Sequence, residues 1–142
     1  MKIVRDWSPL DGLKNVSAQI ELDAESGKSG RTLLYDALNL ALLEFVGGNP
    51  ANSKVLIVIG EGNNTGGTTT YSQIAKHAKT AHVQCFALLV AAHNFMGSRL
   101  RHFGFYLYDL ASATKGKAYD VGRSRKNLDK AIADVLKRVR QP

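Results

Sequence analysis

Two uninterrupted apolar runs, Lys54-Val55-Leu56-Ile57-Val58-Ile59 and Val83-Gln84-Cys85-Phe86-Ala87-Leu88-Leu89-Val90, most tightly limit what this chain can fold into. A strand with one solvated face alternates apolar and polar side chains. A strand covered on both faces is apolar throughout, and such strands belong to parallel sheets packed between helices. The two runs are separated by a loop rich in Gly, Asn and Thr, residues 60–70, and by a helical segment reaching about residue 81 that Thr70 or Ser72 can cap. This is the crossover that parallel neighbours need.

The flanking segments extend the pattern. Leu33, Leu34, Ala37, Leu38, Ala41, Leu42 and Phe45 recur at helical steps over 31–46, and Gly47-Gly48 ends them. Leu100, Phe103, Leu107, Leu110 and Ala111 predict a second helix over 99–114, closed by Lys115-Gly116-Lys117. A short strand over 118–121 follows, and then a helix over about 124–140 with Leu128, Ala131, Ile132, Val135, Leu136 and Val139 on one side. The expected fold is an open, mostly parallel α/β sheet of Rossmann-like class with helices on both faces. Ligands of such sheets bind outside the carboxyl ends of the strands, at the loops that begin at Gly60, Ala91 and Gly122. The first 30 residues are ambiguous: 2–6 reads as a short strand, and the stretch after Ser8-Pro9 fits a helix or an alternating strand.

Composition removes several classes. At 142 residues, 44% hydrophobic and 22% charged, the chain is neither a disordered tail nor a fibre. The single Cys85 excludes an internal disulfide and a cysteine-based zinc site. The longest apolar run, 85–92, falls well short of the roughly 18–20 residues of a membrane span. No targeting segment is visible after Met1. The net charge of +7 is uneven: residues 1–66 carry 6 basic and 8 acidic side chains, and residues 67–142 carry 13 and 4. The basic part coincides with the amphipathic final helix and has no aromatic residues interleaved for base stacking, so it reads as a solvated face rather than a nucleic-acid surface.

Two segments carry candidate chemistry. Ser26-Gly27-Lys28-Ser29 precedes the first long helix and matches part of a phosphate loop, with Gly27, Lys28 and Ser29 as nucleotide-binding candidates. The full pattern has glycine where Leu22 stands, and the following strand ends Gly60-Glu61 rather than in the usual aspartate.

The second segment joins Ser29-Gly30-Arg31-Thr32-Leu33-Leu34-Tyr35-Asp36-Ala37-Leu38 to the run from Val55 to Gly62. Together they resemble a von Willebrand factor type A (VWA) domain of the bacterial VWFA-related group, in which Gly-Gly-Thr-Ala-Leu-Tyr-Asp-Ala-Leu opens a helix and a buried strand ending Asp-Gly follows. On this resemblance 3–8 is similar to the family's third strand and the turn into the short helix after it, 54–61 to its fourth strand, and 71–81 to the helix that follows the fourth strand. Residues 83–90 match the fifth strand, 107–116 the segment before the sixth, and 127–140 the closing helix. The domain is thus expected to lack its N-terminal part.

The resemblance implies a non-enzymatic protein-interaction or adhesion module built around a metal-ion-dependent adhesion site that usually holds magnesium. Thr32 matches its helix-start threonine, and Glu61 stands where the family has aspartate. The Asp-x-Ser-x-Ser loop is absent from the chain. The implied metal site is therefore degenerate or absent, with Thr32 and Glu61 its remaining candidates and any magnesium held weakly. The plainer reading makes Thr32 a helix-start residue whose hydroxyl satisfies a backbone N–H, and Glu61 a loop carboxylate. The family's strand order, 3-2-1-4-5-6, would leave a gap beside 55–59 that the rest of a longer chain, a second copy or the first 22 residues would fill, and a homodimer is the expectation drawn from it. The resemblance also leans towards an extracytoplasmic location.

The remaining candidates are few. His77, His82, His93 and His102 lack metal-ligand spacing, and Cys85 lies in a buried strand where a thiol is inert packing. Phe103, Phe105, Tyr106 and Tyr108 cannot all face inward from one helix, which makes Phe105, Tyr106 and Tyr108 the candidates for a partner surface.

Overall fold

The computed structural model describes residues 31–46, 54–90 and 105–140. In chain order they form α1 (Leu34–Phe45), β1 (Lys54–Gly60), α2 (Tyr71–Thr80), β2 (Val83–Leu89), α3 (Phe105–Ala113), β3 (Lys117–Asp120) and α4 (Arg125–Arg140). The three strands make one parallel sheet in the order β1-β2-β3. Lys54 to Gly60 pair with Val83 to Leu89, and Phe86 to Leu89 pair with Lys117 to Asp120. This is a Rossmann-like α/β arrangement. The expected strands over 2–6 and in the following stretch lie outside the described residues.

Side chains alternate across a strand, so each strand feeds two cores. Leu56 and Val58 of β1 and Cys85, Ala87 and Leu89 of β2 pack against Leu38 and Leu42 of α1, Ile74 and Ala78 of α2, and Leu107 and Leu110 of α3. Leu88 and Val121 pack on the opposite side against Leu128, Ala131, Ile132 and Leu136 of α4, with Ile57, Ile59 and Tyr119 partly buried beside them. Two successive crossovers moving the same way across a sheet, each right-handed, place α2 and α3 on one face. On α4 the buried positions Leu128, Ala131, Ile132, Val135 and Leu136 follow helical spacing, and each full burial of a Leu or Ile side chain contributes about 1.5–3 kcal/mol.

Local chemistry sets the ends. Thr70 caps α2 by accepting from the Gln73 N–H, and the Gln73 side chain accepts from the Thr70 N–H at 2.7 Å in return. Lys54 Nζ donates to the carbonyls of Phe45 at 2.9 Å and Ala81 at 3.3 Å, tying together the C-terminal ends of α1 and α2. After α3, Lys115 takes a positive φ of 60°, its N–H donates to the Ser112 carbonyl, and the Gly116 N–H donates to the Ala111 carbonyl at 2.8 Å. These bonds form a Schellman turn with lysine in the left-handed position. The turn is fastened to β2: the Cys85 N–H donates to Thr114 Oγ1 at 3.0 Å, and Gln84 Nε2 donates to the Lys115 carbonyl at 2.7 Å.

On the other face Asp134 accepts from the Tyr119 hydroxyl at 2.8 Å, Arg138 Nε at 3.0 Å and Lys117 Nζ at 3.4 Å. Those donors, Tyr119 foremost, hold its carboxyl down to about 2. No helix among the described residues is long and apolar enough to cross a membrane.

Candidate functional site

The carboxyl end of β1 opens into the segment 61–70, which lies against the start of α1. A helix start leaves N–H groups without partners inside the helix. Leu33, at the capping position, supplies no side-chain bond. The segment after β1 supplies them instead. Asn64 Oδ1 accepts from the Tyr35 N–H at 3.0 Å, and Thr65 Oγ1 accepts from the Thr32 N–H at 2.8 Å. The Thr65 N–H returns a bond to the Thr32 carbonyl at 3.0 Å. This pairing keeps 31–33 out of the helix, which therefore begins at Leu34 rather than at the residue 31 expected from periodicity.

Asp36 completes the lock one turn into α1. Its Oδ1 accepts from the N–H groups of Thr69 at 2.9 Å and Thr68 at 3.2 Å. The hydroxyl and N–H of Thr69 hold the carboxyl below its usual range. Gly67 is required at this contact: its φ is +98°, and a Cβ there would run into the Asp36 carboxylate. Replacing Asn64 with Ala is expected to cost about 1–2 kcal/mol, because both the Tyr35 N–H and the Gly66 carbonyl lose a partly buried partner. Asn64→Asp keeps the acceptor and is expected to lose less. Denaturant midpoints of the two variants check the order.

Thr32 and Glu61 are both exposed and lie on the two segments that this lock brings together. Magnesium requires near-octahedral oxygen ligation. The two candidates offer one hydroxyl and one carboxylate, and the neighbouring Asp36 is committed to Thr68 and Thr69. Among the described residues no three His, Cys, Asp or Glu side chains come together as metal ligands. The described donor set does not fit a tight magnesium site. Gly27, Lys28 and Ser29 lie outside the described residues, as do His93, His102 and Phe103.

A second feature occupies the same rim of the sheet. Tyr35 in the first turn of α1, Tyr71 opening α2 and Tyr106 in the first turn of α3 converge. Tyr106 meets Tyr35 edge-on at 5.8 Å and Tyr71 at 5.2 Å, and Phe105 meets Tyr106 at 6.4 Å. Burial, reinforced by the neighbouring Tyr106 and Tyr71, pushes the Tyr35 phenol up to about 12, and burial raises Tyr71 as well. Both phenols therefore stay protonated and offer hydroxyl donors at neutral pH.

Phe105 is 56% exposed, Tyr106 46% and Tyr108 43%, an unusual outlay of aromatic surface for one helix. The sequence pointed to these three. It did not reveal that Tyr35 and Tyr71 join Tyr106, because only the parallel topology brings the three helix starts together.

The other reactive groups have structural partners or surroundings. His77 Nδ1 lies 2.6 Å from Asn39 Oδ1, joining α2 to α1. The Cys85 thiol is pushed up to about 11 by burial, which leaves it protonated and unreactive. Comparison with family models, with curated proteins and with solved structures returned no match.

Proposed function

We propose that this chain is a non-enzymatic protein-interaction module of VWA type, with a degenerate metal site at Thr32 and Glu61, that recognises its partner through Phe105, Tyr106 and Tyr108. The observation that carries this reading is the exposed aromatic rim at the carboxyl side of the sheet, where Tyr35 and Tyr71 buttress Tyr106 from two other helices. Tyrosine and phenylalanine bring large contact areas with few rotatable bonds, and a buttressed ring has already lost part of the freedom that binding would cost it. The parallel order β1-β2-β3 agrees with the order of the family's fourth to sixth strands. The threonine that follows Arg31 and the carboxylate after Gly60 occupy the places where the family holds metal. The Thr32–Thr65 and Asp36–Thr69 bonds give that corner a structural occupation.

Capture experiments test the rim. Immobilised protein is expected to retain a protein partner from an extract of its own organism in the presence of EDTA, and Phe105→Ala/Tyr106→Ala is expected to lose that partner while keeping a cooperative thermal transition. Undiminished capture by the folded double variant, or capture that needs magnesium, would overturn the reading.

A further inference from the structure

The aromatic rim also carries a charge. Asp109 is exposed on α3 in the midst of the exposed aromatic residues: Phe105 stands one turn before it, and Tyr106 and Tyr108 lie to either side along the helix. It bears on the neighbouring helix as well. Burial first and the Asp109 charge second raise the Tyr71 phenol, which puts this carboxylate within electrostatic range of the Tyr71–Tyr106 ring pair. Burial and then the Asp120 charge raise Tyr108 in the same way.

No cation balances Asp109. Its own helix contains no Lys, Arg or His, and among the described residues Asp109 enters no ion pair. No cation covers the rings of the rim either. Among the described residues the one cation held over an aromatic ring is Lys117, over Tyr119, which packs with α4 on the other face of the sheet. In a chain of net charge +7, the exposed side of α3 is thus aromatic and acidic.

We infer that the rim receives an arginine side chain of the protein partner, its guanidinium stacked on Phe105 or Tyr106 and paired with the Asp109 carboxylate. The face of an aromatic ring carries partial negative charge, so it attracts a cation held over it, and a carboxylate beside the ring adds to that attraction. Arginine suits both groups at once. Its guanidinium is planar and weakly hydrated, stacks on rings and presents a fork of donors to a carboxylate, whereas a lysine ammonium is a compact, strongly hydrated charge. A nucleic-acid strand fits less well, because bases stacked on these rings would bring their phosphates against Asp109. The inference rests on the reading of the rim as the recognition surface and adds the chemistry that it recognises.

NMR titration of the protein with a capped peptide, Ser-Arg-Gly-Arg-Ser, tests it against counterparts that carry lysine, citrulline or leucine in place of both arginines. The arginine peptide is expected to bind most tightly and to move the amide signals of residues 105–109. Asp109→Asn is expected to weaken it about fivefold, and Phe105→Ala/Tyr106→Ala by as much or more. Glu44→Gln, which removes an exposed carboxylate from α1, is expected to change it by less than about twofold. Should the double variant fail to fold, Phe105→Ala alone is expected to weaken binding more than Glu44→Gln does. Equal binding by the citrulline peptide would remove the role of charge, by the lysine peptide the role of the guanidinium, and by the leucine peptide would make the rim an apolar surface. Equal losses in Asp109→Asn and Glu44→Gln would reduce the effect to net charge. Each of these four results overturns the inference. Loss of partner capture in the double variant, with no binding of the arginine peptide to the wild type, would overturn the inference and leave the reading of the rim standing. Undiminished capture by the folded double variant would overturn both.

Discussion

Gly116→Ala is expected to destabilise the fold by about 3 kcal/mol or more, a loss of roughly 10 °C in the thermal midpoint. The turn after α3 passes so close to β2 that a Cβ on residue 116 would fall on the carbonyl oxygen of Cys85 and 2.6 Å from its carbonyl carbon. The obstacle is backbone in the middle strand of the sheet, so it cannot swing aside as a flexible side chain would. Relief requires moving the turn, which breaks several bonds together: Gly116 N–H to Ala111, Cys85 N–H to Thr114 and Gln84 Nε2 to Lys115. The neighbouring Lys115 provides the control. Its side chain is exposed and it already holds a positive φ, so Lys115→Gly relieves strain instead of adding it. A midpoint for Gly116→Ala within about 2 °C of the wild type would mean that the turn does not approach β2 this closely.

Phe86→Ala is expected to have a comparable effect, about 3–5 kcal/mol. Phe86 is the bulkiest fully buried side chain among the described residues and lies in the middle strand, opposite Ile57 on one side and Lys117 on the other. Truncation removes a ring from water-free packing and leaves a cavity that two hydrogen-bonded neighbours prevent from collapsing. Phe86→Leu refills most of that space and is expected to lose only a fraction as much. Urea unfolding with an unchanged m-value and a lowered midpoint is the measurement. Equal midpoints for Phe86→Ala and the wild type would contradict this placement of the core.

The strands were legible in the sequence because their apolar runs are set by burial on both faces, a physical demand with no local substitute. β1 and β2 agree with the runs 54–59 and 83–90 to within a residue, and the capping role of Thr70 was readable because capping is local chemistry. α4 was equally legible from its helical spacing. β3 lies one residue earlier than the strand expected over 118–121, since its register is fixed by pairing with Phe86 to Leu89.

What the sequence concealed was non-local. Asn64, Thr65 and Asp36 read as ordinary polar residues, yet across about 30 positions of chain they satisfy the start of α1 and fasten the segment after β1. The run Asn63-Asn64-Thr65-Gly66-Gly67-Thr68-Thr69-Thr70 is rich in residues that cap helices, which signals capping without showing which helix receives it. Tyr35 falls in the run from Ser29 to Leu38 that opens α1, whereas its place against Tyr106 depends on three helices sharing one face of the sheet.

The lock at the start of α1 also bears on ligand chemistry. A helix N-terminus attracts anions when its N–H groups point at the ligand. Here the Thr32 and Tyr35 N–H groups are already bonded to Thr65 and Asn64, and Asp36 is engaged with Thr68 and Thr69. The start of α1 is thus occupied by the protein's own side chains, which leaves these N–H groups no place for an anionic ligand.

The most direct test is the thermal unfolding midpoint measured in EDTA, in magnesium, and in magnesium with ATP. A ligand at 100 times its dissociation constant adds about 2.7 kcal/mol, which for a chain of this size raises the midpoint by several degrees. A metal-independent interaction module is expected to show the same midpoint in all three. A rise of several degrees with magnesium alone would contradict this and return Thr32 and Glu61 to a working metal site, and a rise only with ATP would contradict it in favour of nucleotide binding through Gly27, Lys28 and Ser29.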